Sequence, residues 1–281
     1  MSNKVKARLK KIIRQRLPVN DPNFMVIGSQ KCGTSSLHYY LNQHASLVGS
    51  DPKEVHFFDR DIHFGKQLSE YRKHFRGRRD RLHFESSPSY IYSPQTASRI
   101  YETYPEIKFI VTFRDPVKRA YSAWNHYRQL FEKDKNTFQN RRRREGNLLC
   151  DKFFTGRQQF PSFRECIDIE LELIEKGEGV EPALLRRGLY LQQLQTYWQF
   201  FEPGQLLILG FKDLVSDTEK TLNRVCEFIG VSQMDWSTID REPRNVRDYT
   251  APMLETDKQY LEAFFAEPNQ ALFERIGPLN W

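Results

Sequence analysis

The residues best suited to chemistry form one polar stretch, residues 28–36, which read Gly-Ser-Gln-Lys-Cys-Gly-Thr-Ser-Ser. An apolar run that predicts a buried strand precedes this stretch, and a helical pattern to about His44 follows it. A glycine-relieved turn between a strand and a helix directs several backbone N–H groups at one point, where the helix dipole favours an anion. Lys31 adds a positive charge, and further donors are the hydroxyls of Thr34, Ser35 and Ser36. The pattern predicts an oxyanion cradle, with an ordinary glycine turn as the alternative.

The order of residues in this turn differs from that of a P-loop NTPase. The P-loop reads GxxxxGK[ST], so its lysine follows the second glycine and its hydroxyl residue binds magnesium. Here Lys31 precedes Gly33. We therefore expect the cradle to hold a different anion, and a P-loop nucleotide kinase or NTPase remains an alternative.

Strands and helices alternate along the rest of the chain. Strands are predicted at residues 24–28, 108–114 and 205–210, and the second ends at Asp115-Pro116, where a proline suits the first turn of a helix. Helices are predicted after that proline and at about residues 190–201 and 218–229. Alternation of this kind predicts an α/β fold, a P-loop-NTPase-like single domain with a central parallel sheet flanked by helices. We expect a basic lead-in at residues 1–20 and the folded domain at residues 21–281.

Composition narrows the class of protein. The 281 residues are 39% hydrophobic and 28% charged, and the mean hydropathy of -0.69 excludes a membrane-embedded protein. Nothing approaches the roughly 18 consecutive apolar residues of a membrane span, and the first residues lack an apolar signal-peptide core, so we expect a cytoplasmic location. The cysteines are widely spaced, which argues against a disulfide scaffold or a structural metal.

The net charge of +7 is unevenly distributed. Residues 1–150 contain 29 basic and 14 acidic side chains, whereas residues 151–281 contain 14 and 22. A basic half suggests an anionic partner, and a non-catalytic polyanion-binding module is the second alternative. The basic segments 72–81 and 141–144 are either solvated loops or parts of a binding groove. The lead-in is either a solvated helix or, through residues 1–17, a membrane-surface contact.

Two motifs together resemble those of a known family. Residues 28–35 resemble the 5′-phosphosulfate-binding loop of sulfotransferases that use 3′-phosphoadenosine 5′-phosphosulfate (PAPS). The second motif of that family is a strand that ends in Arg-Asp/Glu-Pro, with a serine eight residues after the arginine. It is matched by Arg114, Asp115, Pro116 and Ser122. The resemblance implies PAPS as donor, adenosine 3′,5′-bisphosphate as product and no metal.

Further segments resemble the heparan-sulfate type of carbohydrate sulfotransferase, and the resemblance extends over about residues 22–281. Residues 53–58, Lys-Glu-Val-His-Phe-Phe, are similar to the Lys-Glu-x-His-Phe-Phe segment of those enzymes, and residues 87–90 to their Thr/Ser-Pro-x-Tyr segment. Gly188 and Tyr190 continue the match. One position departs from the pattern, because Ser86 stands where many of these enzymes have a substrate-holding lysine.

The resemblance implies roles for particular residues. Glu54 is the expected general base, with a pKa that its mixed polar and aromatic surroundings could raise, and His56 on the same face is the expected helper. Lys31 would stabilise the charge on the departing nucleotide. Arg114 and Ser122 would hold the 3′-phosphate. The other expected donor-binding residues are Cys32, Gly33, Thr34, Ser35, Ser36, Tyr190 and Arg244.

The acceptor is expected to be a carbohydrate or glycoconjugate, although a small alcohol or an amine also fits. Aromatic faces beside amide and guanidinium donors suit sugar rings that carry anionic groups. Such residues occur on the helix after Ser122, and their alternative is a place in the core. The expected acceptor-binding residues are Trp124, Asn125, Tyr127 and Arg128. No nucleic acid partner is expected.

Overall fold

The structure is a computed structural model that describes residues 16–134, 152–153, 155–176, 183–242 and 252–281. The described residues form two compact units. The sheet unit takes its residues from the ranges 1–113, 193–245 and 280–281, and the helical unit takes its residues from 114–192 and 246–279.

A five-stranded parallel sheet organises the sheet unit. Its strands are β1 (Phe24–Gly28), β2 (Leu47–Gly49), β3 (Leu82–Ser86), β4 (Lys108–Phe113) and β5 (Leu206–Gly210). Their order is β2-β3-β1-β4-β5, and each neighbouring pair is parallel. The predicted central parallel sheet is therefore confirmed, and β1, which leads into the predicted cradle, is its middle strand.

The α-helices connect and follow these strands. In chain order they are α1 (Thr34–Leu41), α2 (Asp61–Phe64), α3 (Leu68–Arg72), α4 (Thr96–Thr103), α5 (Pro116–Lys133), α6 (Phe163–Glu175), α7 (Tyr190–Trp198), α8 (Phe211–Ser216), α9 (Thr218–Ile229) and α10 (Glu255–Ile276).

Both faces of the sheet are covered by apolar side chains, as expected for parallel strands. Residues of β1 and β4 such as Val26 and Ile110 pack in one cluster with side chains of α1 and α9. On β4, Phe109 contacts the rings of Tyr197 and Phe201, with centroid separations of 5.2 and 4.7 Å. Because successive residues of a strand point to opposite faces, Phe109 and Ile110 pack on opposite faces of the sheet.

The predicted elements agree with the structure where the sequence is apolar. β1 and α9 have the predicted bounds, and β4 and β5 each lie within one residue of theirs. β2 and β3 were not predicted. β2 has only three residues, and β3, Leu-His-Phe-Glu-Ser, buries His83 and Glu85 instead of an apolar run.

The helical unit has its own hydrophobic cluster, formed by residues of α5, α6 and α10 with the turn before α7. The start of α5 follows from its sequence: Asp115 caps the helix by accepting a bond from the Lys118 N–H at 2.9 Å, and Pro116 occupies the first turn. In α6 the fully buried Glu170 accepts bonds from three consecutive backbone N–H groups, those of Leu184, Leu185 and Arg186.

Candidate active site

The predicted cradle lies at the carboxyl end of β1, in the middle of the sheet. The Ser29 N–H donates to the Thr112 carbonyl on β4 at 2.9 Å, and the Thr112 hydroxyl donates to the Gly28 carbonyl at 3.2 Å. The Cys32 N–H donates to the Ser29 carbonyl at 3.2 Å, which closes a turn. These bonds attach the start of the loop to the neighbouring strand.

Two residues of this loop have left-handed backbone conformations. Gly33, at φ 82° and ψ 8°, is the residue before α1, and Lys31 has φ 70°. Left-handed residues next to helical ones turn successive N–H groups toward one concavity, which is how backbone anion nests form. A lysine in this conformation is uncommon, and such residues concentrate at functional sites.

The side chains of the loop divide into buried and accessible ones. Cys32 is fully buried and Thr34 nearly so, whereas Lys31, Ser35 and Ser36 are half-buried. The thiol of Cys32 is therefore hidden from a ligand, and a contact of Cys32 with the donor would have to use its backbone, whose N–H also bonds to the Ser29 carbonyl. In an α-helix the N–H groups of the first turn have no partner within the helix, so the start of α1 adds donors directed at the same place.

Glu54 lies on a loop attached to the end of β3, the strand next to β1. The Ser86 N–H donates to the Lys53 carbonyl at 3.1 Å, and Ser86 is level with Val26 of β1. Because the carboxyl ends of parallel strands meet at one sheet edge, the cradle and the Glu54 loop belong to the same edge. The Glu54 carboxylate contacts Lys53 Nζ at 2.9 Å and His56 Nε2 at 3.3 Å.

These two cations control the ionisation of Glu54. Burial raises the pKa of Glu54, but the hydrogen bond from His56 and the charge of Lys53 outweigh burial and lower that pKa to about 2. The expectation that the surroundings raise this pKa is therefore wrong. The sequence shows Lys53 and His56 beside Glu54, but it does not show that both contact the carboxylate, which depends on the conformation of the loop.

His56 is held between two carboxylates. Its Nδ1 lies 2.8 Å from Asp59 Oδ2, and the Ser89 hydroxyl donates to the same Asp59 oxygen at 2.5 Å. Burial lowers the pKa of His56, but the hydrogen bonds to Asp59 and Glu54 outweigh burial and raise it to about 9. His56 is thus a cation at neutral pH, able to donate to Glu54 but not to remove a proton.

Asp59 and Ser89 were not identified from the sequence. Asp59 lies three residues after His56, and this spacing is the signal that was available. Ser89 belongs to the Ser-Pro-Ser-Tyr segment but is distant in sequence from His56. The left-handed backbone of His56, with φ 55°, shows that the segment is not a regular strand.

His38 on α1 is a third site residue that the sequence did not identify. Its Nδ1 lies 2.8 Å from the hydroxyl of Ser86, the residue that replaces the lysine of the resembling enzymes. Burial and the charge of Lys53 lower the pKa of His38 to about 3, so its ring is neutral. The position where many of the resembling enzymes have a lysine therefore carries a neutral hydroxyl and imidazole pair, and His38 links α1 to the end of β3.

The second motif lies at the start of the helical unit. Tyr190, which is buried, donates its hydroxyl to the Arg114 carbonyl at 2.7 Å and so contacts the backbone of the motif. Arg114 is half-buried and Ser122 buried, on the loop before α5 and in its second turn. The structure thus provides a positioning contact between two residues that were predicted separately as donor-binding.

The four predicted acceptor residues fall into two groups. Tyr127 belongs to the hydrophobic cluster of the helical unit, and Asn125 is fully buried and bonds to the Tyr121 carbonyl of its own helix at 3.1 Å. Neither side chain presents a surface to an acceptor in this structure. Trp124 and Arg128 are half-buried, and the Arg128 guanidinium lies 5.4 Å from the Trp124 ring centroid.

Other predicted residues are placed less directly. Arg244 and the segment 141–144 lie outside the described residues, as do residues 1–15 of the lead-in. Within the basic segment 72–81, Arg72 pairs with Asp21 at 2.6 Å and Arg78 with Asp80 at 2.5 Å. Part of the charge of that segment is therefore neutralised.

The described parts of the chain show neither a metal site nor a membrane-spanning helix. In residues 16–134 and the later described ranges, no group of three His, Cys, Asp or Glu side chains is arranged to hold a metal ion. Among the helices that the structure describes, none is long and apolar enough to cross a membrane.

Comparisons with known proteins agree with the resemblance seen in the motifs. Over 91% of its length, the chain is 25% identical to the membrane-associated sulfotransferase kil1 of Dictyostelium discoideum and covers 65% of that protein. It is 30% identical to the mouse heparan sulfate glucosamine 3-O-sulfotransferase 3B1, over 76% of the chain and 47% of that enzyme. The chain thus spans less than two thirds of the length of these relatives.

A solved structure supports the same assignment. The crystal structure of a sulfotransferase from Alicyclobacillus acidocaldarius matches 94% of this chain and 98% of its own, with a TM-score of 0.69 and 28% identity. The model of the Sulfotransferase domain family matches residues 21–245. The match includes the cradle, the Glu54 loop and the Arg114 motif. The protein therefore belongs to the sulfotransferase family, as the sequence motifs predict.

Proposed function

We propose that the protein transfers a sulfuryl group from PAPS to a hydroxyl or amine of an acceptor and releases adenosine 3′,5′-bisphosphate. The observation that carries this proposal is one sheet edge with two complementary features. The loop after β1 is built to hold an anion, and the loop after β2, which is bonded to the end of β3, carries an ionised carboxylate between two cations. The first feature suits an anionic donor, and the second suits an acceptor hydroxyl that must lose a proton.

In the proposed reaction the acceptor oxygen or nitrogen attacks sulfur in line with the bridging oxygen of the donor. The new bond to sulfur forms as the bond to the bridging oxygen breaks, and the electron pair leaves with the nucleotide phosphate. Glu54 accepts the acceptor proton, and Lys31 stabilises the negative charge of the leaving group. Positioning and electrostatics supply most of the catalysis, as in phosphoryl transfer.

Donor binding is assigned to both motifs. The backbone of Cys32 and Gly33, with the hydroxyls of Thr34, Ser35 and Ser36, would hold the 5′-phosphosulfate, and Arg114 and Ser122 would bind the 3′-phosphate. Tyr190 supports this assignment through its bond to the Arg114 carbonyl. Arg244 stays a prediction for closing over the nucleotide.

The state of Glu54 makes it a base that depends on its partners. A carboxylate with a pKa of about 2 is always ionised near neutrality but holds a proton weakly. We infer that acceptor binding displaces Lys53 from Glu54, because His56 is also held by Asp59 at 2.8 Å, whereas the flexible stem of Lys53 can move. Loss of that contact raises the proton affinity of Glu54 when the acceptor is present.

A carbohydrate or glycoconjugate is the proposed acceptor. Support comes from two matched relatives whose names specify heparan sulfate, including the human bifunctional heparan sulfate N-deacetylase/N-sulfotransferase 3, which is 28% identical over 75% of this chain. The half-buried pair of Trp124 and Arg128 offers an aromatic face beside a cation, which suits a sugar ring with an anionic group. Transfer of labelled sulfate from PAPS to a panel of glycans, alcohols and amines tests this choice.

Calorimetric titration with adenosine 3′,5′-bisphosphate, with 5′-AMP as control, tests the donor site. In EDTA we expect binding of the bisphosphate to be at least tenfold tighter than that of 5′-AMP, because Arg114 and Ser122 contact the 3′-phosphate. Binding that requires magnesium and ignores the 3′-phosphate would instead favour a nucleotide kinase or NTPase. Failure of both nucleotides to bind would favour a polyanion-binding module.

The proposed location is the cytoplasm, with contact of residues 1–17 to a membrane as the alternative. The relative in Dictyostelium is named as membrane-associated. Fractionation of cells that express the full chain, followed by a salt wash of the membrane pellet, separates the two outcomes. Recovery in the soluble fraction at physiological salt supports the proposal.

A further inference from the structure

A buried carboxylate lies directly beneath the loop that carries Glu54 and His56. Glu85, the fourth residue of β3, is fully buried. One of its oxygens accepts a bond from the Tyr71 hydroxyl at 2.5 Å, and the other accepts one from the Ser87 hydroxyl at 2.8 Å. The Tyr90 hydroxyl is a further neighbour that lowers the pKa of this carboxyl. A buried carboxylate without donors would be costly, and here the hydroxyls of Tyr71 and Ser87 satisfy it.

The hydroxyls of Ser87 and Tyr90 hold the backbone of the loop. The Ser87 oxygen accepts from the Val55 N–H at 3.1 Å, with a longer contact of 3.5 Å from the His56 N–H. The Tyr90 oxygen accepts from the Phe57 N–H at 3.0 Å, with a contact of 3.5 Å from the Phe58 N–H. Four consecutive backbone N–H groups thus face two hydroxyl oxygens.

We propose that Glu85 is a positioning residue for sulfuryl transfer, which orients the Ser87 hydroxyl and through it fixes the backbone that carries Glu54 and His56. This inference rests on the proposed function. A hydroxyl has one proton and two lone pairs, so a proton directed at the carboxylate leaves both lone pairs for the N–H groups. Without the carboxylate, that proton can point at the loop instead. The hydroxyl oxygen then accepts fewer bonds from the backbone N–H groups.

The arrangement also has a pH dependence. Burial raises the pKa of Glu85 to about 7, although the hydroxyls of Tyr71, Ser87 and Tyr90 oppose this effect. A protonated Glu85 oxygen becomes a donor and can no longer accept from every hydroxyl. The titratable groups that act on Glu85 from the neighbouring elements are Asp59, Tyr71, Tyr90 and Tyr197. Burial raises the pKa of each of these tyrosines. Of these groups, only the carboxyls of Glu85 and Asp59 therefore ionise near neutral pH.

The first test is the variant Glu85→Gln. The glutamine amide donates where the carboxylate accepted, so one hydroxyl must turn toward the loop. We expect kcat to fall about 10- to 100-fold, as for a small displacement of catalytic groups, while the affinity for adenosine 3′,5′-bisphosphate stays within about twofold. Ser87→Ala, which removes the link but keeps the carboxylate, should lower kcat similarly. Equal losses of kcat and nucleotide affinity in both variants would reduce Glu85 to a general structural role and overturn the proposal.

The second test uses a milder change, Tyr71→Phe, which removes one donor to Glu85 but keeps the ring that packs against Phe57 and Phe58 of the loop. We expect kcat to rise with pH as Glu85 ionises, with a midpoint near pH 7. Loss of a bond that stabilises the carboxylate raises the pKa of Glu85, so this midpoint should be about one pH unit higher in Tyr71→Phe. Tyr104→Phe is the matched control, because that hydroxyl donates to Asp21, also at 2.5 Å, and Tyr104 contacts the same aromatic ring, that of Phe58. An unchanged midpoint in Tyr71→Phe would contradict the proposal.

An activity-independent measurement separates this inference from the proposed function. We expect the NMR signals and the pKa of the His56 imidazole to change in Glu85→Gln and Ser87→Ala, but not in Tyr104→Phe. If the wild type transfers no sulfuryl group and His56 still responds, the proposed function fails and the positioning of His56 by Glu85 stands. If the wild type is active and the His56 signals of both variants match the wild type, the positioning role fails alone.

Discussion

At the scale of single residues, Lys31 and Glu54 should fail in different ways when they are replaced. Lys31→Ala removes a cation from the anion cradle, so we expect nucleotide affinity to fall about 10- to 100-fold and transfer to be abolished. Glu54→Gln keeps the shape of the side chain but removes the base, so kcat should fall by about 10²- to 10⁴-fold while nucleotide affinity stays within about twofold. Calorimetry and a transfer assay with PAPS measure the two effects.

Matched controls exist for both substitutions. Lys220→Ala removes an exposed cation from α9, and Glu70→Gln removes an exposed carboxylate that pairs with Lys73. Neither should change nucleotide affinity or kcat by more than about twofold, since such exposed charges contribute little. An equal loss of nucleotide affinity in Lys31→Ala and Glu54→Gln would exclude Glu54 as the base.

The contribution of His56 to stability should be lost in alkaline solution. Its folded pKa, raised to about 9, exceeds the value of about 6.5 expected in the unfolded chain. Its ion pairs therefore stabilise the fold fully below about pH 6.5, and this contribution is lost as the pH rises through about 9.

Denaturant unfolding of the wild type and His56→Gln at pH 6.5 and 9.5 measures this loss of stability. The free energy of unfolding of the variant should change less between the two pH values, whereas His74→Gln should behave as the wild type. Equal changes in the wild type and His56→Gln would contradict the raised pKa.

At the scale of secondary structure, the sequence predicts the elements that carry motifs and misses those that bury polar groups. β1 and the cradle follow from an apolar run before a glycine-bearing turn. β3 was not predicted because Glu85 and His83 interrupt its apolar pattern, and these are residues that the interior uses to hold neighbouring loops. Contacts such as His56 with Asp59, Ser89 and Glu54 depend on a left-handed loop residue, which no periodicity reveals.

The junction between the cradle and α1 should not tolerate a side chain at Gly33. This residue has φ 82°, and a Cβ there would lie 3.0 Å from the Phe211 ring. Gly33→Ala should lower the free energy of unfolding by about 1–3 kcal/mol, because a left-handed alanine is strained and the ring must move. Nucleotide affinity should fall at least tenfold, since the N–H groups of the cradle move with this residue.

Gly204→Ala is the control for that substitution. A Cβ at Gly204 would meet nothing within 4 Å, and its backbone is not left-handed. We expect stability to be unchanged or slightly higher, because alanine reduces the freedom of the unfolded chain. Thermal unfolding and calorimetry on both variants complete the test. Gly33→Ala with wild-type stability and nucleotide affinity would show that the cradle does not depend on this conformation.

At the scale of the whole molecule, basic and acidic side chains are unevenly distributed along the chain. Residues 1–150 hold an excess of 15 basic side chains, and residues 151–281 an excess of 8 acidic ones. Ion pairs such as Arg72 with Asp21 and Arg78 with Asp80 reduce the local excess in the segment 72–81. Its remaining exposed cations, Arg79 among them, are the ones expected to attract an anionic acceptor.

The affinity for a sulfated polymer should therefore fall steeply with salt, because bound cations release counterions from the polymer. In a plot of log affinity against log salt concentration, Arg79→Ala should reduce the slope by about 0.7 to 1, the value for one lost contact. Arg224→Ala changes the net charge equally but lies on α9, in the acidic half, and should leave the slope unchanged. Equal slopes for Arg79→Ala and the wild type would exclude the segment 72–81 from polymer binding.

Lys31→Ala extends this measurement to the choice between an enzyme and a binding module. A polymer that binds through the basic half should keep its affinity and salt dependence in Lys31→Ala, since one cation in the donor cradle contributes little to a surface contact. Transfer from PAPS to the same polymer should be lost in that variant and retained in Arg224→Ala. A wild type that binds the polymer with this salt dependence but transfers no sulfate to it would make the polymer a ligand rather than the acceptor. Binding and transfer measured on one polymer therefore separate attraction by the whole molecule from chemistry at Lys31 and Glu54.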